Sequence, residues 1–252
     1  MNVNHELTGP EGAPVVVLSN SLGTDMRLWD EQVPALTGSF RVLRYDQRGH
    51  GGTEGKPGPY TLAQLGGDVL ELLDRLDISE AHFAGVSLGG MTGMWLAEHA
   101  PERIGRLALI CTSADLGGTA WLDRAATVRA NGMAAMVEPS LPRWFTPAAA
   151  ERPDVRAKFG DMITRADAEG YASCCEAIAG MDIFDDLPAI TAPTLVIAGA
   201  EDPATPPSHA ERIAAGVAGA RVEVLSPAAH LANAEQPEAV NRLLLEHFGG
   251  AA

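Results

Sequence analysis

Gly85-Val86-Ser87-Leu88-Gly89 sets a hydroxyl between two glycines, at the end of one apolar run and the start of a helical pattern. The spacing is G-x-S-x-G, and a strand before it with a helix after it marks a nucleophile elbow. On so sharp a turn, side chains at the flanking positions would strike the neighbouring strand and helix, and glycine removes the collision. A serine hydroxyl is a poor nucleophile at neutral pH, so the chemistry also requires a base and an acid that orients the base. Asp202 follows the apolar run 194–200 in "EDPATPP", and His230 follows the run 221–227 in "AAHLANAEQP". Ser, Asp, His is the chain order of this kind of triad, and each residue stands at or just past the end of a strand-like run. His230 would take the Ser87 proton and return it to the leaving oxygen, while Asp202 fixes the imidazole tautomer. The developing oxyanion needs fixed donors: the Leu88 backbone N–H is one, and the loop after the first core strand, "LSNSLGTD", is placed to supply another. Singly each residue has a plainer role, Ser87 as a helix cap, Asp202 as a turn cap, His230 as a structural imidazole. Their joint placement favours the chemistry.

Those residues need a scaffold. Short β-rich runs at 14–20, 40–46, 81–87, 106–112, 194–200 and 221–227 are apolar almost throughout, as strands covered on both faces are. Helix-period segments lie between them, such as 61–78, where Leu62, Leu65, Val69, Leu72, Leu73 and Leu76 recur at helical spacing. The alternation predicts an α/β fold with a mostly parallel, doubly wound sheet. From about Asp115 to Leu187 the strand signal stops and alanine-rich helical stretches take over, broken by "EPSLPRWFTP" and "AERPD". This predicts a core of residues 1–114 and 188–252, with 115–187 inserted as a helical lid over the carboxyl ends of the strands.

Composition bounds the rest. The chain has 252 residues, suited to one α/β domain with an insertion. Its 18 Lys and Arg against 33 Asp and Glu give a net charge of −15, which opposes nucleic acid and anionic membranes as partners. The start "MNVNHELTGPEG" lacks the basic and apolar regions of a secretory signal, so a cytoplasmic location is expected. Cys111, Cys174 and Cys175 are an odd number with one adjacent pair, a pattern of reduced thiols. His5, His50, His82, His99, His209 and His247 lack the placement of His230, and no cluster has metal-ligand spacing, so no metal is expected. The number of subunits stays open, a homo-oligomer included.

The whole chain resembles an α/β-hydrolase in its elbow, in "YDQRGHGGT" (45–53), in "GAEDPATP" (199–206) and in "AAHLANAEQPEAV" (228–240). More narrowly it resembles the 3-oxoadipate enol-lactonases, through "LSNSLGTDMRLWD" (18–30), "GVSLGGMTGMWLA" from Gly85 and "RWFTP" from Arg143. Many relatives carry His-Gly in the oxyanion loop where this chain has Asn20-Ser21. The resemblance makes the Leu22 N–H the second oxyanion donor, with Ser21 one residue away as the alternative. It implies that the motif from Asp46 to Gly51 supports the fold. It also implies hydrolysis of a small anionic enol lactone to 3-oxoadipate through an acyl-enzyme, with no cofactor. The substrate's carboxylate calls for a cation in an acidic protein. Arg143 is the first candidate, with Trp144 as an apolar wall, and Arg27 is the second. Trp29 packs under the oxyanion turn in this reading. The rivals are an aryl or short-chain esterase, a carbon–carbon bond hydrolase of the same fold, and a ligand sensor that retains a triad.

Overall fold

The computed structural model describes residues 2–250. Among them seven strands form one sheet in the order β1-β3-β2-β4-β5-β6-β7. Valine and leucine build its centre: Val16, Val17 and Leu18 of β2 (Val15–Ser19) and Leu107, Leu109 and Ile110 of β5 (Ile104–Ile110) are fully buried. Strands covered on both faces need no polar alternation, and β2 pairs in parallel with both β3 (Arg41–Tyr45) and β4 (Ala81–Val86). Parallel pairing continues through β5 and β6 (Thr194–Gly199) to β7 (Arg221–Leu225). Each of the six strand runs read from the sequence overlaps a strand, but the last, β7, is a half-exposed edge strand and is not covered on both faces as expected. The structure adds β1 (His5–Thr8), which pairs antiparallel with β3 and makes the sheet mixed at one edge.

Helices cover both faces. After the short α1 (Val33–Leu36), α2 (Leu62–Arg75) begins at a capping box in which the Thr61 hydroxyl accepts from the Gln64 N–H and the Gln64 side chain accepts from the Thr61 N–H. Its Leu65, Val69, Leu72 and Leu73 are buried. α3 (Leu88–His99) follows β4 through the elbow and is buried along most of its length. Between β5 and β6 the described chain contains no strand. It runs through α4 (Ala120–Asn131), α5 (Val137–Trp144), α6 (Pro147–Ala150), α7 (Pro153–Arg165) and α8 (Ala168–Ala179). An isolated antiparallel bridge between Asp115 and Asp182 joins the two ends of this excursion, and the Ile183 N–H donates to the Ala114 carbonyl beside it.

The excursion rests on loops at the carboxyl ends of the strands. The Asp167 N–H donates to the Gly49 carbonyl after β3, and the Leu231 N–H after β7 donates to the Trp144 carbonyl. Trp144, Phe145 and Phe159 stack edge to face inside it, giving the helices an aromatic core of their own. The fold closes with α9 (Pro207–Gly216), α10 (Ala232–Glu235) and α11 (Pro237–Gly249). No helix among the described residues is long and apolar enough to cross a membrane.

Candidate active site

Ser87 stands between β4 and α3 with φ 54° and ψ −114°, a left-handed backbone that a non-glycine residue adopts only when its surroundings hold it there. They do: the Ser87 N–H donates to the Ile110 carbonyl at 2.9 Å, and the Ser87 carbonyl accepts from Thr112 Oγ1 at 2.7 Å and from the Met91 N–H at 3.0 Å. The flanking glycines are steric necessities. A Cβ at Gly85 would lie 2.2 Å from the Gly89 backbone, and one at Gly89 would lie 2.3 Å from the Ser19 carbonyl oxygen. Ser87 occupies the N-cap position of α3, yet its side chain makes no capping bond, so the helix-cap role is set aside.

His230 and Asp202 meet in the loops after β7 and β6. The His230 Nδ1–H donates to Asp202 Oδ2 at 2.8 Å, with both side chains almost wholly buried. Asp202 is held from all sides: Oδ1 accepts from the Ala204 and Thr205 N–H groups at 2.8 and 3.1 Å, and Oδ2 accepts from Thr205 Oγ1 at 2.6 Å. Burial pushes the Asp202 carboxyl up, but the neighbouring His230 and the bonds from His230 and Thr205 outweigh it and hold the group below the ordinary carboxylate range. An ionised Asp202 fixes the proton on Nδ1, which leaves the Nε2 lone pair free to take a proton.

Ser87 and His230 open onto one cavity, which is also lined by Ser21, Leu22, Trp121, Arg124, Arg143, Trp144 and Ala204. The Leu88 N–H is the first of its helix and has no intrahelical partner, and it sits at the positive end of the α3 dipole. Leu22 and Ser21 both line the cavity from the loop after β2. The free space is about 20 Å³, close to what one water molecule occupies. Roomier hollows exist near Gly49–Gly55 and Arg165, about 570 and 350 Å³, but neither contains Ser87 or His230.

The cationic side of the cavity is richer than the sequence indicated. Arg143 and Trp144 reach it from the end of α5, and so do Trp121 and Arg124 from the first turns of α4, which the sequence reading missed. The Arg124 guanidinium stacks over the Trp121 ring at 5.3 Å. Neither Arg124 nor Arg143 has a carboxylate partner among the described residues. Burial, then the repulsion of Arg124, pushes the Arg143 guanidinium below its ordinary value. Two arginines without carboxylate partners thus line one cavity and concentrate positive charge there, in a chain of net charge −15.

Arg27 is a correction. Its guanidinium is tied to Asp25 at 2.6 Å and to Asp161 at 2.9 Å, and it lines none of the Ser87 cavity. It clamps the turn after β2 to α7, so both of its faces are spent on carboxylates of the chain itself. Trp29 is fully buried, as packing beneath that turn requires. His209 touches a second serine, Ser113, at 2.7 Å, but the Ser113 hydroxyl also contacts the Asp115 carbonyl and lies outside the cavity.

Residues 14–237 match the α/β hydrolase fold family. Over 241 residues the chain is 41% identical to 3-oxoadipate enol-lactonase 2 of Acinetobacter baylyi, covering 95% of this chain and 90% of that protein. The crystal structure of the enol-lactonase from Burkholderia xenovorans LB400 superposes with a TM-score of 0.96 at 44% identity, over 98% of this chain and 96% of that one. A thermophilic esterase from Thermogutta terrifontis superposes with a TM-score of 0.90 at 29% identity, over 97% and 92%. The chain belongs to the α/β-hydrolase fold family, and within it to the group that contains the 3-oxoadipate enol-lactonases.

Proposed function

We propose that the chain hydrolyses the ring of 3-oxoadipate enol-lactone, with Ser87 as nucleophile, His230 as base and acid, and Asp202 as its orienting carboxylate. The observation that carries the reading is the meeting, in one cavity, of Ser87 and the Asp202-anchored His230 with two arginines that lack partners. In the proposed sequence, His230 Nε2 takes the Ser87 proton as Oγ attacks the lactone carbonyl. The tetrahedral oxyanion forms between the Leu88 and Leu22 N–H groups, which exist in place before the charge does. Collapse breaks the ring C–O bond, and the ring oxygen leaves as an enol that takes the proton from His230. An enol is a better leaving group than an alkoxide, but it stays tethered to the acyl group and can re-close; ketonisation removes it. Water, deprotonated by His230, then releases the new carboxylic acid and restores Ser87. No step requires a cofactor.

Arg143 and Arg124 would hold the acetate arm of the lactone, with Trp144 and Trp121 as walls beside the ring. The lactone is bulkier than a single water, so residues 115–187 would act as a cap whose α4 and α5 side chains draw back to admit it. Three buried free thiols suit the reducing cytoplasm.

A spectrophotometric assay with the lactone generated in situ, run beside p-nitrophenyl acetate, tests the reading. The lactone is expected to have the higher kcat/KM. Arg143→Ala should raise KM for the lactone by about 10-fold or more, the cost of about one charged pair, and leave the neutral ester unchanged. A wild-type enzyme that prefers the ester, or an equal loss on both substrates, contradicts it.

A further inference from the structure

The peptide that carries the Leu22 N–H is held from its back. In a trans peptide the carbonyl and the N–H point in opposite directions, so whatever fixes the Ser21 carbonyl aims the Leu22 N–H. That carbonyl accepts three bonds: from the Thr24 N–H at 3.1 Å, from Thr24 Oγ1 at 2.8 Å and from Gln47 Nε2 at 3.3 Å. The next peptide is fixed as well, because the Gly23 N–H donates to His50 Nε2 at 3.0 Å. Gln47 and His50 are both buried, 5% and 1% exposed, and both lie in the loop after β3. Neither faces Ser87 or the cavity.

His50 can accept at Nε2 only as the neutral imidazole with its proton on Nδ1. The Nδ1–H donates to the Arg48 carbonyl at 3.1 Å, and burial pushes the His50 pKa down against the pull of the Arg48 carbonyl, Asp46, Asp25 and Asp167. Other bonds between the two loops run alongside: Asn20 Nδ2 donates to the Tyr45 carbonyl at 2.7 Å, and the Met26 N–H donates to Asp46 Oδ1 at 2.8 Å. Gly23, at φ 81°, sits under the cap, where a Cβ would lie 3.1 Å from the Tyr171 ring. The turn is therefore closed on itself by Thr24 and held from behind by Gln47 and His50 of the β3 loop.

We infer that His50 and Gln47 are positioning residues for the oxyanion hole, holding the Ser21–Leu22–Gly23 turn so that the Leu22 N–H faces the carbonyl attacked by Ser87. The inference rests on the proposed hydrolytic reading of that site. It gives a kinetic role to a motif for which the family resemblance implied only fold support. Donors on the Ser21 carbonyl also polarise the peptide and strengthen its N–H as a donor.

The test compares His50→Ala, His50→Gln and Gln47→Leu with wild type and Ser87→Ala. Deleting an oxyanion donor outright costs about 10²- to 10³-fold in kcat, so loosening one should cost about 10- to 100-fold. His50→Ala and Gln47→Leu are expected to lose kcat by that factor with KM for the lactone held within about 2-fold, since the acetate-arm contacts are untouched. His50→Gln, whose Oε1 can accept from the Gly23 N–H, should recover most of the rate. In wild-type enzyme, a through-hydrogen-bond NMR coupling between the Gly23 amide nitrogen and His50 Nε2 reads the contact directly, whatever the variants do on folding. Wild-type kcat in both His50→Ala and Gln47→Leu, failure of His50→Gln to rescue, or absence of the coupling overturns the inference. Those outcomes alongside a dead Ser87→Ala leave the hydrolytic reading standing, whereas an active Ser87→Ala removes the reading itself.

Discussion

Asp202→Asn isolates the role of one proton. Asp202 Oδ1 receives two backbone N–H groups, from Ala204 and Thr205, while Oδ2 faces Thr205 Oγ1 and His230 Nδ1. An asparagine satisfies the backbone donors only by placing its carbonyl oxygen at the Oδ1 position. Its NH₂ group then faces His230 where an acceptor stood, and the imidazole must put its proton on Nε2 to offer a lone pair to that group. Nε2 can then no longer take the Ser87 proton, although every heavy atom stays near its place. Loss of the correct tautomer costs on the order of 10⁴-fold in kcat, about 5 kcal/mol of transition-state stabilisation. KM for the lactone should move little, because Arg124 and Arg143, which line the cavity, are unchanged. Steady-state kinetics on the lactone measures the loss, and the ¹⁵N shifts of the His230 ring report the tautomer. A variant within about 10-fold of wild type, or one that is inactive with its proton still on Nδ1, refutes the reasoning.

Glu235 ties the chain after α5 to the histidine loop: its carboxylate accepts from the Thr146 N–H and Thr146 Oγ1, and from the Ala229 N–H next to His230. Glu235→Ala should destabilise the fold by about 1 to 3 kcal/mol through the donors left without a partner, and should lower kcat more than it raises KM; thermal unfolding beside lactone kinetics checks both. Burial pushes His247 down to about 4, against the pull of the Leu107 carbonyl, which its Nε2 contacts at 3.0 Å. The unfolded chain binds that proton near pH 6.5 and the native one does not until about pH 4, so this group's stability is whole above 6.5 and is lost as pH falls through that window. The loss totals about 3 kcal/mol at 1.36 kcal/mol per unit, and His247→Gln, which can still donate to Leu107, should flatten the dependence in urea unfolding between pH 6.5 and 4.

What the sequence made legible follows the physics of each signal. Strands such as Thr194–Gly199 are buried on both faces, so their residues are apolar without interruption and stand out. Ser87 and Asp202 were readable for the same reason, one ending such a run and the other lying just past one, whereas His230 follows β7, a half-exposed edge strand that its valines and leucine still mark. β1 was silent: it is an edge strand of four residues, half-exposed in alternation, and its antiparallel pairing with β3 depends on long-range contacts. Arg27 and Arg124 exchanged places for a similar reason. Arg27 sits within a motif of the oxyanion loop, but its guanidinium is shared between its neighbour Asp25 and Asp161, far along the chain; Arg124 lies in a plain helical stretch and is brought to the cavity only by tertiary packing. The brace from Gln47 and His50 to the Ser21–Leu22–Gly23 turn is likewise a contact between two loops, which no local spacing announces.

Intact-protein mass measured after rapid acid quench of enzyme mixed with the enol lactone tests the central claim most directly. Because the leaving oxygen stays tethered, attack by Ser87 adds the whole mass of the lactone to the protein, and the account predicts that adduct on the peptide containing Ser87 and its loss in Ser87→Ala. Turnover with no adduct in the wild-type enzyme, together with an active Ser87→Ala, would contradict it.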